Sequence, residues 1–367
     1  MGRPALILAA LAADAAPGKN FRHYLKITDN PDIEVLRLWD AEGQSYELKM
    51  PASAAGITEL ATEITVLQAL NQAKLSLPFA IPNQVGQTQD FDGQRAVLFT
   101  LLGGSSPDLS RLGPGAFSKS FAEAMASLHN CETQPIIEAG LPSYDATTVL
   151  HHKVQELDRM AATGRIPAAL LSRWETALED IGLFRFHPTL THSAINSEAV
   201  LVENQQVVGI TGFNALCVGD PAEDFRWLAS GAVASTLDDA LLHYRAARPQ
   251  ADENLAQRAI LYSELELGSW LLHCLSIGDA EQIKQAEDLL NDLKENLEAG
   301  NLKELTATSF VGLAVASSII PQAMPTQPIE TLSPSALQEE VEEQDQDAPA
   351  DDLTQAEPTE TTLDELF

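Results

Sequence analysis

Apolar and polar side chains alternate with strand period twice in the first hundred residues, each time around a turn signal. In residues 33–50, Ile33 and Val35 flank Glu34, Leu36 and Leu38 flank Arg37, and Tyr46, Leu48 and Met50 alternate on the return. Ala41-Glu42-Gly43-Gln44 separates the two runs, so the segment predicts a β-hairpin. The alternation changes phase once mid-strand, which predicts either a bulge or a strand covered on both faces. A second hairpin is predicted from Val85 to Leu98 around Asp92-Gly93. Between the hairpins the period changes to that of a helix over Glu59 to Gln72, with Leu60, Ile64, Leu67 and Leu70 on one stripe. The apolar opening, Met1 to Ala13, predicts a short helix packed on this lobe, with a secretory signal peptide as the alternative.

Past residue 115 the pattern is mostly helical. Phe117 to His129, Ala168 to Ile181, Asn254 to Leu275 and Glu281 to Ala299 each carry an apolar stripe at helical spacing. One short hairpin interrupts them, Val200-Leu201-Val202 returning through Val207-Val208-Gly209-Ile210. Strands first and helices afterwards predict an α+β fold of two lobes. Residues 1–102 form the small, mainly β lobe, and 103–300 the larger helical lobe. Residues 301–325 read as a linker, and 326–367 as a disordered acidic tail of Pro, Gln, Thr, Glu and Asp. Its tip, Thr362-Leu363-Asp364-Glu365-Leu366-Phe367, sets three apolar side chains at an acidic end suited to a protein partner's groove.

Charge narrows the function classes. The 367-residue chain carries a net charge of −31, with no Lys or Arg after Lys303. Such a surface repels nucleic-acid phosphates and anionic lipid, so neither nucleic acid nor membrane is an expected partner. No apolar run is long enough to span a bilayer. Cys131, Cys217 and Cys274 are few, odd in number and without metal-type spacing, which fits a reducing cytoplasm. His151-His152 and His273-Cys274 likewise lack the spacing of a zinc site.

The stretch with most chemistry to read is Thr191-His192-Ser193-Ala194-Ile195-Asn196-Ser197-Glu198-Ala199-Val200-Leu201-Val202, followed by Ile210-Thr211-Gly212-Phe213. It resembles the catalytic loop of the aminoglycoside and macrolide phosphotransferases, small-molecule kinases with a protein-kinase-like fold. That pattern runs His-Gly-Asp-Leu, then a metal-binding side chain just before Val-Leu-Val, then a second acid in an Ile-Asp-Trp-like strand. Val218-Gly219-Asp220-Pro221-Ala222-Glu223-Asp224-Phe225 resembles the family's Gly-Asp-Pro-x-x-Asp-Leu segment, and Phe117–His129 its helix ending in Ala-x-Leu-His. Tyr144, Arg165-Ile166-Pro167, Arg173-Trp174-Glu175 and Trp270-Leu271-Leu272-His273 resemble a subgroup of actinobacterial proteins. The likeness spans about residues 5–298.

The resemblance implies a two-lobed kinase-like fold with ATP held through Lys49, its partner carboxylate Glu63 (Glu59 as the fallback), and the connector at Thr100 and Leu102. It also implies that the acids of phosphoryl transfer are missing. The base position is Ala194, and the two metal positions are Ala199 and Gly212. None offers a side-chain oxygen, so Mg²⁺ is not expected; Glu198, with Asn196 beside it, is the stand-in to test. No Gly lies between Gly18 and Gly43, where a phosphate-covering loop would fall. His192 reads as a core anchor, and Asp220 and Asp224 as bracing acids, with Asp220 capping the turn at Pro221. The expected function is therefore a phosphotransferase-family protein with impaired catalysis, a pseudokinase binding nucleotide or a partner. The alternatives are an active ATP-dependent kinase of an antibiotic, sugar or amino alcohol hydroxyl with rearranged acids, and a scaffold presenting the acidic tail.

Overall fold

The computed structural model describes residues 2–307 except 28, 29, 74 and 234. The small lobe opens with helix α1 (Ala5–Ala15) and strands β1 (Phe21–Ile27), β2 (Ile33–Asp40) and β3 (Ser45–Pro51). Helix α2 (Ala54–Gln72) and strands β4 (Gln84–Gln89) and β5 (Arg95–Thr100) complete it. The strands form one antiparallel sheet in the order β1-β2-β3-β5-β4.

Both faces of that sheet are covered. Leu8 and Ala12 of α1 are fully buried against Leu36, Leu38, Leu48 and Met50 on one face. Ile33, Val97 and Phe99 pack on the other face with Leu60, Ile64 and Leu67 of α2. This accounts for the phase change along β2. Its register with β3 runs unbroken from Ile33 opposite Pro51 to Trp39 opposite Ser45, so there is no bulge between them. Glu34 falls on the α1 side, where Arg3 and Lys26 each donate to its carboxylate at 2.9 Å.

Helix α2 starts five residues before the predicted Glu59, at Ala54. Ser53 caps it, its hydroxyl accepting the Gly56 N–H at 3.1 Å. Gly56 presses on the β1–β2 connection so closely that a Cβ there would come within 1.9 Å of the Asp32 carbonyl oxygen. Strand β1 was not predicted. It is an edge strand whose Arg22 to Leu25 are exposed, so it buries no alternating face for a pattern to report.

The large lobe contains α3 (Ala116–His129), α4 (Gln134–Glu138), α5 (Ala146–Ala162), α6 (Ala168–Glu179), α7 (Arg226–Gly231), α8 (Ser235–Ala247), α9 (Leu255–Ile277) and α10 (Ala280–Glu298). Two short antiparallel pairs lie among them: β6 (Thr189–Thr191) with β9 (Cys217–Gly219), and β7 (Val200–Glu203) with β8 (Gln206–Ile210). The core between the helices is built on Phe121, Trp174, Phe213, Phe225, Tyr244 and Tyr262, all almost fully buried. Helices α5 and α8 lie outside the helices that the sequence pattern predicts, although the buried Leu237, Ala240, Leu241 and Tyr244 of α8 carry helical spacing.

Residues 301–307, within the segment read as linker, lie on this lobe. Leu305 is buried, Arg173 donates to the Lys303 carbonyl at 2.7 Å, and the Ala307 N–H donates to Asp180 at 2.8 Å. The rest of the linker and the acidic tail with its apolar tip lie outside the described residues. No helix among the described residues is long and apolar enough to cross a membrane.

The tight seat of Gly56 sets where α2, and hence Glu63, sits against β3. Gly56→Ala should cost about 1–3 kcal/mol through overpacking. Urea unfolding of the two proteins compared side by side measures it, with an unchanged slope and a lower midpoint expected.

Candidate functional site

Strand alternation and helix pitch bring Lys49 and Glu63 together. Lys49 shares the α2-facing side of β3 with Glu47, and Glu63 lies on the inner side of α2. Lys49 Nζ stands 2.6 Å from Glu63 Oε1 and 3.6 Å from Glu47 Oε1, and 5.5 Å from the Phe99 ring centroid. Burial alone would lower the Lys49 pKa, but the charges of Glu63 and Glu47 outweigh it and raise it, so the ammonium persists. Glu59 does not take part. Its carboxylate receives Asn214 Nδ2–H at 3.4 Å, and its pKa is raised by burial and by repulsion from Glu63. Thr100 ends β5 with its hydroxyl committed to the Asn83 N–H at 2.9 Å. Leu102 packs against Gly209 of the β7–β8 hairpin.

A single buried carboxylate holds the loop across the large lobe. Asp224 accepts the His192 N–H at 2.9 Å and the Ser193 N–H at 2.6 Å, and faces His129 Nε2 at 3.0 Å. Burial pushes the Asp224 pKa up, yet the His129 hydrogen bond, the His129 ring's charge interaction and the His192 N–H bond outweigh it and hold it low. His129 is fixed in turn by the Tyr244 hydroxyl at 2.7 Å. Ser193 occupies the glycine position of the family's His-Gly-Asp and adopts φ +63°, a left-handed conformation that costs a non-Gly residue roughly 1–2 kcal/mol.

His192 is the second tie. Its Nε2 lies 2.8 Å from the Thr211 carbonyl oxygen, and its Nδ1 accepts the Ala194 N–H at 3.3 Å. Those partners fit the neutral ring with Nε2 protonated, and burial depresses the His192 pKa in the same sense. The Thr211 N–H donates to the Ala199 carbonyl at 2.9 Å. Gly212 has φ +74°, and a Cβ placed on it would lie 3.9 Å from that of Ala199. The two metal positions thus face each other, tied through His192 to the base position at Ala194, and the three side chains hold no oxygen.

Of the two stand-ins, Asn196 is engaged with the loop's own backbone. Asn196 Oδ1 accepts the Glu198 and Ala199 N–H groups at 2.8 and 2.9 Å. Glu198 is exposed and borders a hollow shared with Trp227, Ser230 and Glu266. Among the described residues, no group of three His, Cys, Asp or Glu is disposed to hold a metal ion. Asp220 is the cap that was expected: its Oδ1 accepts the Ala222 N–H at 2.9 Å. The structure adds Arg258, fully buried on α9 and donating to both Asp220 oxygens at 2.6 and 2.9 Å, with Tyr262 at 2.6 Å. Arg258 lies 38 residues from Asp220 in a mainly apolar helix, and no local pattern marks it.

Residues 30–261 match the model of the phosphotransferase enzyme family, APH. The chain belongs to that family. Among solved structures, the macrolide 2'-phosphotransferase MphH from Brachybacterium faecium is 22% identical over 78% of this chain and 98% of its own, with a TM-score of 0.66. A macrolide 2'-phosphotransferase type I is 23% identical over 78% and 96%, with a TM-score of 0.64. The GDP and kanamycin complex of APH(2")-IIia is 18% identical over 79% and 99%, with a TM-score of 0.64. No curated protein matches the chain. At these identities the neighbours establish the fold, the two-lobed kinase-like fold of the phosphotransferase family.

The low Asp224 pKa has a sign that can be tested. Stability from a carboxylate with a depressed folded pKa is fully present above the unfolded value of about 3.9 and is lost as pH falls through the folded value. Asp224→Asn should lower stability by about 3–5 kcal/mol at neutral pH. Denaturant unfolding from neutral to acid pH should show the loss shrinking below about pH 4.

Proposed function

We propose that this protein is a catalytically impaired phosphotransferase, a pseudokinase whose cleft serves as a binding module anchored by Lys49. Ala194, Ala199 and Gly212 carry the reading: they offer no side-chain oxygen where the family resemblance implies a base and two metal ligands. Phosphoryl transfer needs an oriented acceptor hydroxyl and metal ions bridging the phosphates. Losing a positioned base costs on the order of 10²–10⁴ in rate, and hard oxygen ligands for Mg²⁺ are missing as well. The Lys49–Glu63 pair, by contrast, is complete, and it is the part that would anchor a nucleotide phosphate. The APH(2")-IIia structure named above is a GDP and kanamycin complex, and aminoglycoside phosphotransferase APH(2'')-Ib was crystallised with ADP, which supports a nucleotide as this cleft's ligand. The three free thiols, Cys131, Cys217 and Cys274, fit a reducing cytoplasm.

An active enzyme with rearranged acids would need Glu198 or Asn196 turned toward Lys49. Asn196 is occupied as a cap for the backbone it would have to leave, and Glu198 is exposed beside Trp227, Ser230 and Glu266, which favours the impaired reading.

Thermal-shift titration with ATP, with and without Mg²⁺, tests the reading. ATP alone should raise Tm, and Mg²⁺ should add nothing. Lys49→Met combined with Glu63→Gln, which removes both charges of the pair together, should abolish the shift. A shift that appears only with Mg²⁺ would overturn the proposal.

A further inference from the structure

Lys49 does not meet a ligand alone. Glu47 lies two residues earlier on the same side of β3, and Arg37 of β2 stands opposite Glu47 in the sheet register. Glu47 Oε1 is 3.6 Å from Lys49 Nζ, and its Oε2 is 3.3 Å from Arg37 Nε. With Glu63 at 2.6 Å on the other side of Lys49, the four make a row of alternating sign. Two cations and two carboxylates leave no surplus positive charge in it.

Glu59 reports the same field. Burial and repulsion from Glu63 raise its pKa, so a further negative charge is already disfavoured beside this row. Lys49 still has donors to give: Glu63 takes one of its three N–H groups, and Glu47 at 3.6 Å is beyond a closed hydrogen bond. A phosphate oxygen held on Lys49 Nζ at ~2.8 Å comes within about 6.5 Å of Glu47 Oε1, which stands 3.6 Å from that nitrogen.

Each further phosphate brings more negative charge into the same neighbourhood. In phosphoryl transfer that charge is offset by metal ions bridging the phosphates. Here the positions of their ligands are Ala199 and Gly212, which offer no side-chain oxygen. Lys49 can match one phosphate, and nothing in the row matches two more. We propose that the cleft takes a nucleoside monophosphate in preference to the di- or triphosphate, and that Glu47 is the residue that sets this preference. The preference rests on the nucleotide reading of the cleft and adds which nucleotide it holds. ATP still reaches Lys49, but less tightly than AMP.

Isothermal titration of the full chain with AMP, ADP and ATP, in EDTA to remove divalent ions, reads the preference. AMP should bind at least about ten-fold more tightly than ATP, with ADP between them. Glu47→Gln keeps the side chain's shape and an oxygen for Arg37 while removing the charge. It should tighten ATP by at least about ten-fold and AMP by less, so that the order levels. A purely structural loss would instead weaken all three alike and leave their ratio unchanged. ATP binding to the native protein as tightly as AMP would overturn the proposal, and so would a ratio that Glu47→Gln does not move. If neither protein binds any of the three at millimolar concentration, the nucleotide reading falls with it; a fixed ratio among nucleotides that do bind overturns the preference alone.

Discussion

The arrangement of the loop rests on one buried carboxylate. Asp224 sits where desolvation penalises its charge, and it stays ionised because two backbone N–H groups and the His129 ring converge on its two oxygens. Those N–H groups belong to His192 and Ser193, so the carboxylate dictates the backbone course at the loop's start. It also supports the left-handed Ser193, a conformation that persists only where the surroundings over-determine it. From there His192 reaches the Thr211 carbonyl, and Thr211 reaches Ala199. Remove Asp224, and the chain of contacts that aligns the loop with the β7–β8 hairpin loses its first link.

This separates two kinds of acid in one fold. Asp220 and Asp224 are fully enclosed, each neutralised by long-range partners: Arg258 and Tyr262 for one, His129 and backbone N–H groups for the other. They do structural work that a neutral residue could not replace without orphaning buried donors. Ala194, Ala199 and Gly212 carry no polar side-chain group and have no such obligation, and Gly212 takes φ +74°, a conformation glycine adopts without steric cost. The bracing acids can therefore hold the frame whatever side chains stand at those three positions, which is the physical basis for the proposed reading of the protein as a binding module.

Much of this was legible along the chain. The two small-lobe hairpins, the α2 stripe and the long helices follow from periodicity, because each buries a regular set of side chains. The Lys49–Glu63 contact followed from element order together with the family likeness, since neither residue is distinctive alone. Strand β1 was invisible because its exposed edge has no inward face to pattern. The start of α2 was misplaced because it is set by the Ser53 cap and the close approach of Gly56 to Asp32, not by apolar spacing. His129 and Arg258 act on acids 95 and 38 residues away, and Tyr244 on His129 115 residues away, so only the folded chain shows these pairings.

The central claim is that three missing oxygens, not a disordered frame, stop phosphoryl transfer. The most direct measurement is Mg²⁺-dependent phosphate release from ATP by the native protein and by the combined Ala194→Asp, Ala199→Asn, Gly212→Asp variant. The native protein should release none above buffer, and the variant should gain a rate that Lys49→Met removes. Release by the native protein that Lys49→Met abolishes would contradict the account.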